Sequence, residues 1–243
     1  MTDSEHRPPP NAFLAALGRE DLHRLRPHLR AVHLERGTAL AEPGAELDHV
    51  LFPLGCLVSQ TVPMADGGSA ETSTIGRESA FGLLAALGSR RATTHSFVQI
   101  AGAAARLPVS VLREAFAAGP TLRGLCLAHA EMQLNQALRL SACNALHPAE
   151  ARLARWLLMV QDRVGGDALH LTHDFLAEML GVQRPTVTVV ARTLQGGGLI
   201  RYRRGTVTVL DREALEEAAC ECYAAVRAEY GPLLAAAGPE DGR

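Results

Sequence analysis

The sequence predicts an α+β protein: a small all-β unit in the N-terminal half, a helical C-terminal half, and a long helix between them. Three observations predict it. Residues 32–106 break into short apolar runs separated by Gly and Pro. Residues 109–146 hold a helical period. Residues 173–210 read as two short helices joined at Gly181 and followed by a hairpin. A length of 243 residues exceeds one average domain of about 100 to 200 residues, so two folded parts fit.

Residues 1–10 are polar and proline-rich and lack the apolar core of a secretion signal. Over 11–29 the apolar residues Phe13, Leu14, Leu17, Leu22 and Leu25 are broken at Gly18 and Pro27, as short lead-in helices would be. Runs such as Val50-Leu51-Phe52 and Cys56-Leu57-Val58 then alternate with Gly37, Pro43-Gly44, Pro53, Gly55, Pro63, Gly67-Gly68 and Gly76. Turns at that density join short strands into a sandwich or barrel, with one internal helix over 82–87 and strand character again over 97–107.

The stretch 109–146 is helical, and Leu127, Ala130, Leu134, Ala137 and Ser141 alternate by three and four along it. That narrow apolar stripe suits either a second helix or the chain's own β domain. His147-Pro148 interrupts the helix and makes a hinge. Another helix follows over 149–161, closed by Gly165-Gly166, with Trp156 expected to pack between the long helix and the unit beyond. Then come two helices, the loop Gly196-Gly197-Gly198, strands over 199–203 and 206–210, a helix over 212–230 and a tail containing Gly and Pro. The domains expected are 11–120, 121–147 and 148–232.

Composition narrows the function classes. The net charge is −2, so any nucleic-acid contact must come from a local basic patch rather than from the field of the whole molecule. No apolar run reaches the roughly 20 residues of a membrane span, and the expected location is the cytoplasm. Cys56, Cys126, Cys143, Cys220 and Cys222 are odd in number and scattered, which is not the pattern of a disulfide framework.

The informative stretch is 173–192, HDFLAEMLGVQRPTVTVVAR. Leu176 and Leu180 lie one turn apart, Ala177 is small enough to let a second helix cross closely, and Gly181 supplies the positive backbone angle of a tight turn. Arg184-Pro185 opens the second helix, where proline sacrifices no hydrogen bond. Val182, Val187 and Val190 close a small core, leaving Gln183, Arg184, Thr186, Thr188 and Arg192 outward in a helix-turn-helix. Residues 183–204 hold Arg184, Arg192, Arg201, Arg203 and Arg204 with no Asp or Glu, the local excess that phosphate attraction requires. Arg203-Arg204-Gly205 falls at a hairpin turn placed as a wing to touch a neighbouring phosphate. Arg184 is the candidate for a bidentate contact to guanine, Thr186 and Gln183 for phosphate or base edges, and Arg192 for the backbone.

The order of β-roll, long helix and winged helix-turn-helix resembles the Crp/Fnr family of bacterial transcription factors over nearly the whole chain. The motifs that carry the resemblance are Leu171-Thr172, Ala177-Glu178, Gly181, Arg184, Thr186-Val187 and Leu199-Ile200, with Arg36-Gly37, Glu42-Pro43-Gly44 and Gly76-Arg77-Glu78 in the β domain. The resemblance implies a cyclic-nucleotide-binding-like jelly roll and a homodimer along the long helix, which tilts the leucine stripe toward dimerisation. It further implies double-stranded DNA as ligand, with two recognition helices in successive major grooves, and RNA polymerase as a partner.

The departures bear on the effector. Where cyclic-nucleotide-binding members resemble Phe-Gly-Glu, this chain has Phe81-Gly82-Leu83. An apolar side chain cannot accept the ribose hydroxyl's hydrogen bond, a loss of roughly 1 to 3 kcal/mol that weighs against cyclic AMP. Arg90 and Arg91 lie near the family's phosphate-binding position, so Gly82, Leu83, Arg90 and Arg91 mark the candidate pocket for an unknown small-molecule effector. Family members that read adenine place hydroxyl residues on the long helix, at positions matched here by Ala137-Leu138. The N-terminal cysteine cluster of the oxygen-sensing branch has no counterpart ahead of Cys56, and Pro185 stands where many relatives carry an acidic base-reading residue. No cofactor and no metal are expected. Cys220 and Cys222, two residues apart on an expected helix, point different ways with no third or fourth ligand at a recognised spacing, although a redox response through them or Cys56 stays open. The ten histidines show no metal-binding pair, and no catalytic motif is present, so an enzyme is not expected. A signalling module whose winged helix contacts protein is the competing reading.

Overall fold

A computed structural model of the chain describes residues 11–65, 67–165 and 168–236, and side chains to Tyr230. The expectations placed on residues 1–10, on Gly166 and on the Gly- and Pro-containing C-terminal tail fall outside or largely outside them. Two short helices, α1 (Ala12–Ala15) and α2 (Arg19–Leu25), lead into the strands β1 (Arg30–Leu34), β2 (Ala39–Ala41), β3 (His49–Pro53), β4 (Leu57–Pro63) and β5 (Ser69–Ile75), the helix α3 (Leu83–Leu87), and the strands β6 (His95–Ile100) and β7 (Gly102–Pro108). These strands form two antiparallel sheets, ordered β1-β7-β3 and β2-β6-β4-β5. Side chains alternate along β3 between two cores: Val50 and Phe52 pack with Leu107, the lead-in helices and Leu83 and Ala86 of α3, while Leu51 packs with Val58, Ile75 and Phe81.

The helical stretch after β7 is not continuous. It divides into α4 (Val109–Ala118) and α5 (Pro120–Leu146) at Gly119, whose φ of −110° and ψ of 115° are extended. Pro120 causes the break, because its ring disfavours helical geometry in the residue before it while suiting the first turn of the next helix. One face of α5 is buried through Leu122, Cys126, His129, Met132, Gln136, Leu140 and Cys143. The sequence stripe lies on the other face, where Leu127 is 62% exposed and Leu134 59% exposed. Packing of that stripe against the chain's own β domain is therefore not observed.

The helix α6 (Ala149–Val164) follows the hinge, then β8 (Ala168–His170), α7 (His173–Leu180), α8 (Arg184–Gly196), β9 (Ile200–Arg203), β10 (Thr206–Val209), α9 (Arg212–Ala218) and α10 (Cys222–Ala236). The single C-terminal helix expected over 212–230 is thus two, interrupted at residues 219–221 after the capping residue Ala219 turns extended, with ψ 155°. The strand β8 was not foreseen; it adds to the hairpin in the order β8-β10-β9.

The two halves are joined by a polar seam. Trp156 is buried, as expected, in the core that holds Met132 of α5 together with residues of α7 and α8, and it also reaches the β half. Its indole N–H donates to Glu71 of β5 at 2.6 Å, and its ring meets Phe175 edge-on. Beside it the buried Arg163 of α6 donates to Glu78 at 2.7 Å and to Tyr230 of α10.

Candidate nucleic-acid interface

The helix-turn-helix is built from α7 and α8. Thr172 caps α7 by accepting from the backbone N–H of Phe175 at 3.2 Å, and Gly181 ends it with φ 61° and ψ 41°, a left-handed cap that costs glycine no steric penalty. Leu176, Leu180, Val187 and Val190 are buried together in the core between the two helices, with Val182 packed at its edge. The 3.6-residue period then turns the intervening positions outward.

Gln183, Arg184, Thr186 and Arg192 are all exposed. Thr188 is only half-exposed, and its hydroxyl is engaged with the His173 ring at 3.1 Å and the Arg184 carbonyl at 3.2 Å. Arg184 is also engaged: its Nε lies 3.0 Å from the Asp174 carboxylate on α7. The acid-free stretch 183–204 thus meets an acid from outside it, one that a reading of that stretch alone could not reveal. Both partners are solvent-exposed, so the pair contributes little to stability and yields readily to a phosphate or a base edge. Sequence reasoning missed Val189, an apolar side chain 63% exposed in the middle of α8. Its spacing of three from both Thr186 and Arg192 was the available signal.

The wing is the β9–β10 hairpin. Thr206 pairs with Arg203 across it, and the two turn residues, Arg204 at φ 48° and Gly205 at φ 75°, both adopt positive φ. Such a two-residue turn matches the twist of its flanking strands. Arg203 and Arg204 are exposed at its tip. Behind the hairpin, the Tyr202 ring stacks on His173 at 4.4 Å. The His173 imidazole is held below its ordinary pKa, first by burial and then by the positive charges of Arg184 and Arg192. Asp174 opposes those two arginines, so their charge at His173 is partly offset.

The four residues of the candidate effector pocket lie at and after the start of α3, and its two arginines are engaged within the β domain. Gly82 starts α3 with φ 80°. Leu83 is buried in the core with Phe52 and Leu107. Arg90 pairs with Glu46 at 2.8 Å, and Arg91 donates to the Gly44 carbonyl at 2.7 Å. Four side chains that were not grouped from the sequence converge: Cys143 and His147 at the end of α5 meet Cys220 and Cys222 at the α9–α10 junction. Because Cys220 lies in the turn ahead of α10, the two cysteines of the C-x-C pair are not splayed by a common helix as expected.

Comparison with known proteins accords with this architecture. Residues 151–218 match the model of the Crp-like helix-turn-helix domain. No curated protein matches in sequence. Among solved structures, a Crp/Fnr-family transcriptional regulator of Thermus thermophilus is 25% identical, with a TM-score of 0.63 over 78% of this chain and 98% of its own. FixK2 of Bradyrhizobium japonicum is 15% identical, with a TM-score of 0.68 over 79% of this chain and 98% of its own. A Crp/Fnr-family regulator of Eubacterium rectale is 17% identical, with a TM-score of 0.65 over 83% of this chain and 94% of its own. Among the described residues no helix is long and apolar enough to cross a membrane. The chain thus carries a Crp-like helix-turn-helix domain over residues 151–218, within a fold that it shares with solved Crp/Fnr-family regulators.

Proposed function

We propose that the protein is a cytoplasmic, homodimeric regulator that binds double-stranded DNA in a sequence-dependent manner through α8 and the β9–β10 wing. The observation that carries the reading is the sidedness of α8. Its inner face is locked by Val187, Val190, Ala191 and Leu194, while Gln183, Arg184, Thr186 and Arg192 face solvent beside the wing arginines Arg203 and Arg204. Arg184 at the helix start exchanges Asp174 for a guanine edge, Val189 meets a thymine methyl, and Arg192, Arg203 and Arg204 hold phosphates. Thr188 serves as an internal brace through His173. The exposed leucine face of α5 pairs with a second copy, setting two α8 helices about 34 Å apart on a two-fold site.

In this reading, residues 11–120 form the sensor domain, 121–147 the dimerisation helix and 148–232 the DNA-binding domain. RNA polymerase is the partner on the promoter. Cyclic AMP does not fit Leu83, and a different small molecule is the effector if the β-roll takes one. The test is fluorescence anisotropy with operator and scrambled duplexes across a salt series. Specific binding is expected to weaken steeply with salt. Arg184→Ala is expected to lose about 1 to 3 kcal/mol of discrimination at one base pair. Equal affinity for all duplexes, or full discrimination by Arg184→Ala, contradicts the proposal and favours a winged helix that contacts protein.

A further inference from the structure

The cluster at the α5–α10 junction has the chemistry of a metal centre. The Sγ atoms of Cys143, Cys220 and Cys222 and a ring nitrogen of His147 all lie within 4.8 Å of one another. Two of the edges are 3.5 Å, between Cys143 and Cys220, and 3.7 Å, between Cys222 and His147 Nδ1. A tetrahedral ion with bonds of about 2.3 Å to sulfur and about 2.0 Å to nitrogen sets its ligands about 3.4 to 3.8 Å apart. These two edges are those of such a tetrahedron, and the remaining ones are within 4.8 Å. All three thiols are buried, in a position that a hydrated, oxygen-loving cation would not favour.

Two features around the cluster point independently to a ligand at its centre. The first is the histidine's far side, where Nε2 lies 3.2 Å from the Glu221 carboxylate. A proton held on Nε2 by Glu221 leaves the Nδ1 lone pair facing the sulfurs, the carboxylate–histidine arrangement that orients imidazole ligands in zinc sites. The second is charge. Three thiolates and a neutral imidazole around a divalent ion carry a net charge of −1, and Arg152 and Arg155 are both buried alongside, electrostatically coupled to Cys143. The Nε atoms of both arginines lack hydrogen-bond partners, so these cations have donor capacity left over for a nearby anion. A disulfide between Cys143 and Cys220 would occupy two of the four groups and leave Cys222, His147 and its carboxylate support without a purpose.

We infer that Cys143, His147, Cys220 and Cys222 form a four-coordinate site for a thiophilic divalent cation of the zinc type. Loading breaks three S–H bonds, forms three metal–sulfur bonds and one metal–nitrogen bond, and releases three protons to solvent with no change of oxidation state. The ion ties the end of α5, next to the His147-Pro148 hinge, to the turn that follows the winged helix. That it thereby fixes α8 relative to α5 rests on the DNA-binding reading; the existence of the site does not.

The experiment is a titration of the reduced, chelator-treated full-length protein with cobalt(II), followed by displacement with zinc(II). One cobalt per protomer is expected, with the intense visible bands of tetrahedral sulfur-rich coordination, lost when zinc is added. Cys143→Ser and Cys220→Ser are expected to abolish the bands while retaining the helical circular dichroism of the parent. Cys56→Ser and Cys126→Ser are expected to keep them, since those thiols lie elsewhere. Glu221→Gln, which leaves all four ligands in place, is expected to weaken zinc binding about 10- to 100-fold. No stoichiometric uptake by the reduced protein, weak octahedral bands, or bands that persist in Cys220→Ser would each overturn the site.

Discussion

Gly76 is defined by what stands against it. A Cβ added there would lie 2.5 Å from the Arg163 Cβ and 2.9 Å from a Glu78 carboxylate oxygen. The side chain it would strike is the rooted part of a buried arginine, not a free end. Gly76→Ala is expected to destabilise the protein by about 1 to 3 kcal/mol, the usual cost of overpacking, measured by chemical unfolding. The Gly76-Arg77-Glu78 motif thus acts as a clamp between halves: Glu78 accepts from Arg163, and the Arg77 guanidinium donates to the Asp162 carbonyl at 3.1 Å. Glu71, on the neighbouring strand, is a second seam residue with a pH signature. Burial raises its pKa from 4.5 to about 7 against the opposing hydrogen bonds from Ser59 and Trp156. The folded state therefore binds a proton that the unfolded chain releases between those values, and this residue's contribution to stability falls as pH rises through that window. The residue as a whole is only half-buried, so solvent softens the effect. His129 acts with the opposite sign. Burial lowers it from 6.5 to about 4, so its contribution is present above 6.5 and is lost as the pH falls toward 4. Glu71→Gln is expected to remove the first slope and keep the second, as read from urea midpoints across pH.

At the scale of elements, α5 divides its work between two faces. The buried face reaches Phe13 through His129, edge-on at 5.5 Å, and Tyr230 through Gln136. The other face shows Leu127, Leu134 and Leu138 to solvent, a row of large apolar side chains of the kind that marks an interaction surface. On the homodimer proposed above, Leu134→Arg is expected to yield a monomer in light-scattering measurements, while leaving the unfolding of the β-roll unchanged. The helix-turn-helix was legible because its cues are local: a glycine at the turn, a proline at the helix start, and valines at three-residue spacing. The α4–α5 break was equally local, since Gly119-Pro120 spells it out, yet the apolar period across it masked the signal. The metal-type cluster was not legible. Cys143 and Cys220 are 77 residues apart, and their meeting depends on α10 returning to α5 after the winged helix. The sequence spacing of Cys220 and Cys222 misleads only if both are assumed to be helical.

For the molecule as a whole, the β-roll, long helix and winged unit follow from patterns of punctuation and periodicity, whereas the way the halves lean on each other does not. The helix α7 packs against β5, with the Ser59 hydroxyl 3.4 Å from the Met179 sulfur and Phe97 edge-on to Phe175. Nothing in the spacing of either half announces the other as its neighbour. The docking is made through α7, while Gln183, Arg184, Thr186 and Arg192 of α8 and the wing residues Arg203 and Arg204 stay exposed. This seam also contains the chain's one tryptophan. Its indole is bonded to a carboxyl group that changes charge near neutrality, so the protein carries its own optical gauge of how firmly the halves are joined. Emission from Trp156 should shift as Glu71 titrates and stay level in Glu71→Gln. Anything that loosens the joint should change the colour of that light.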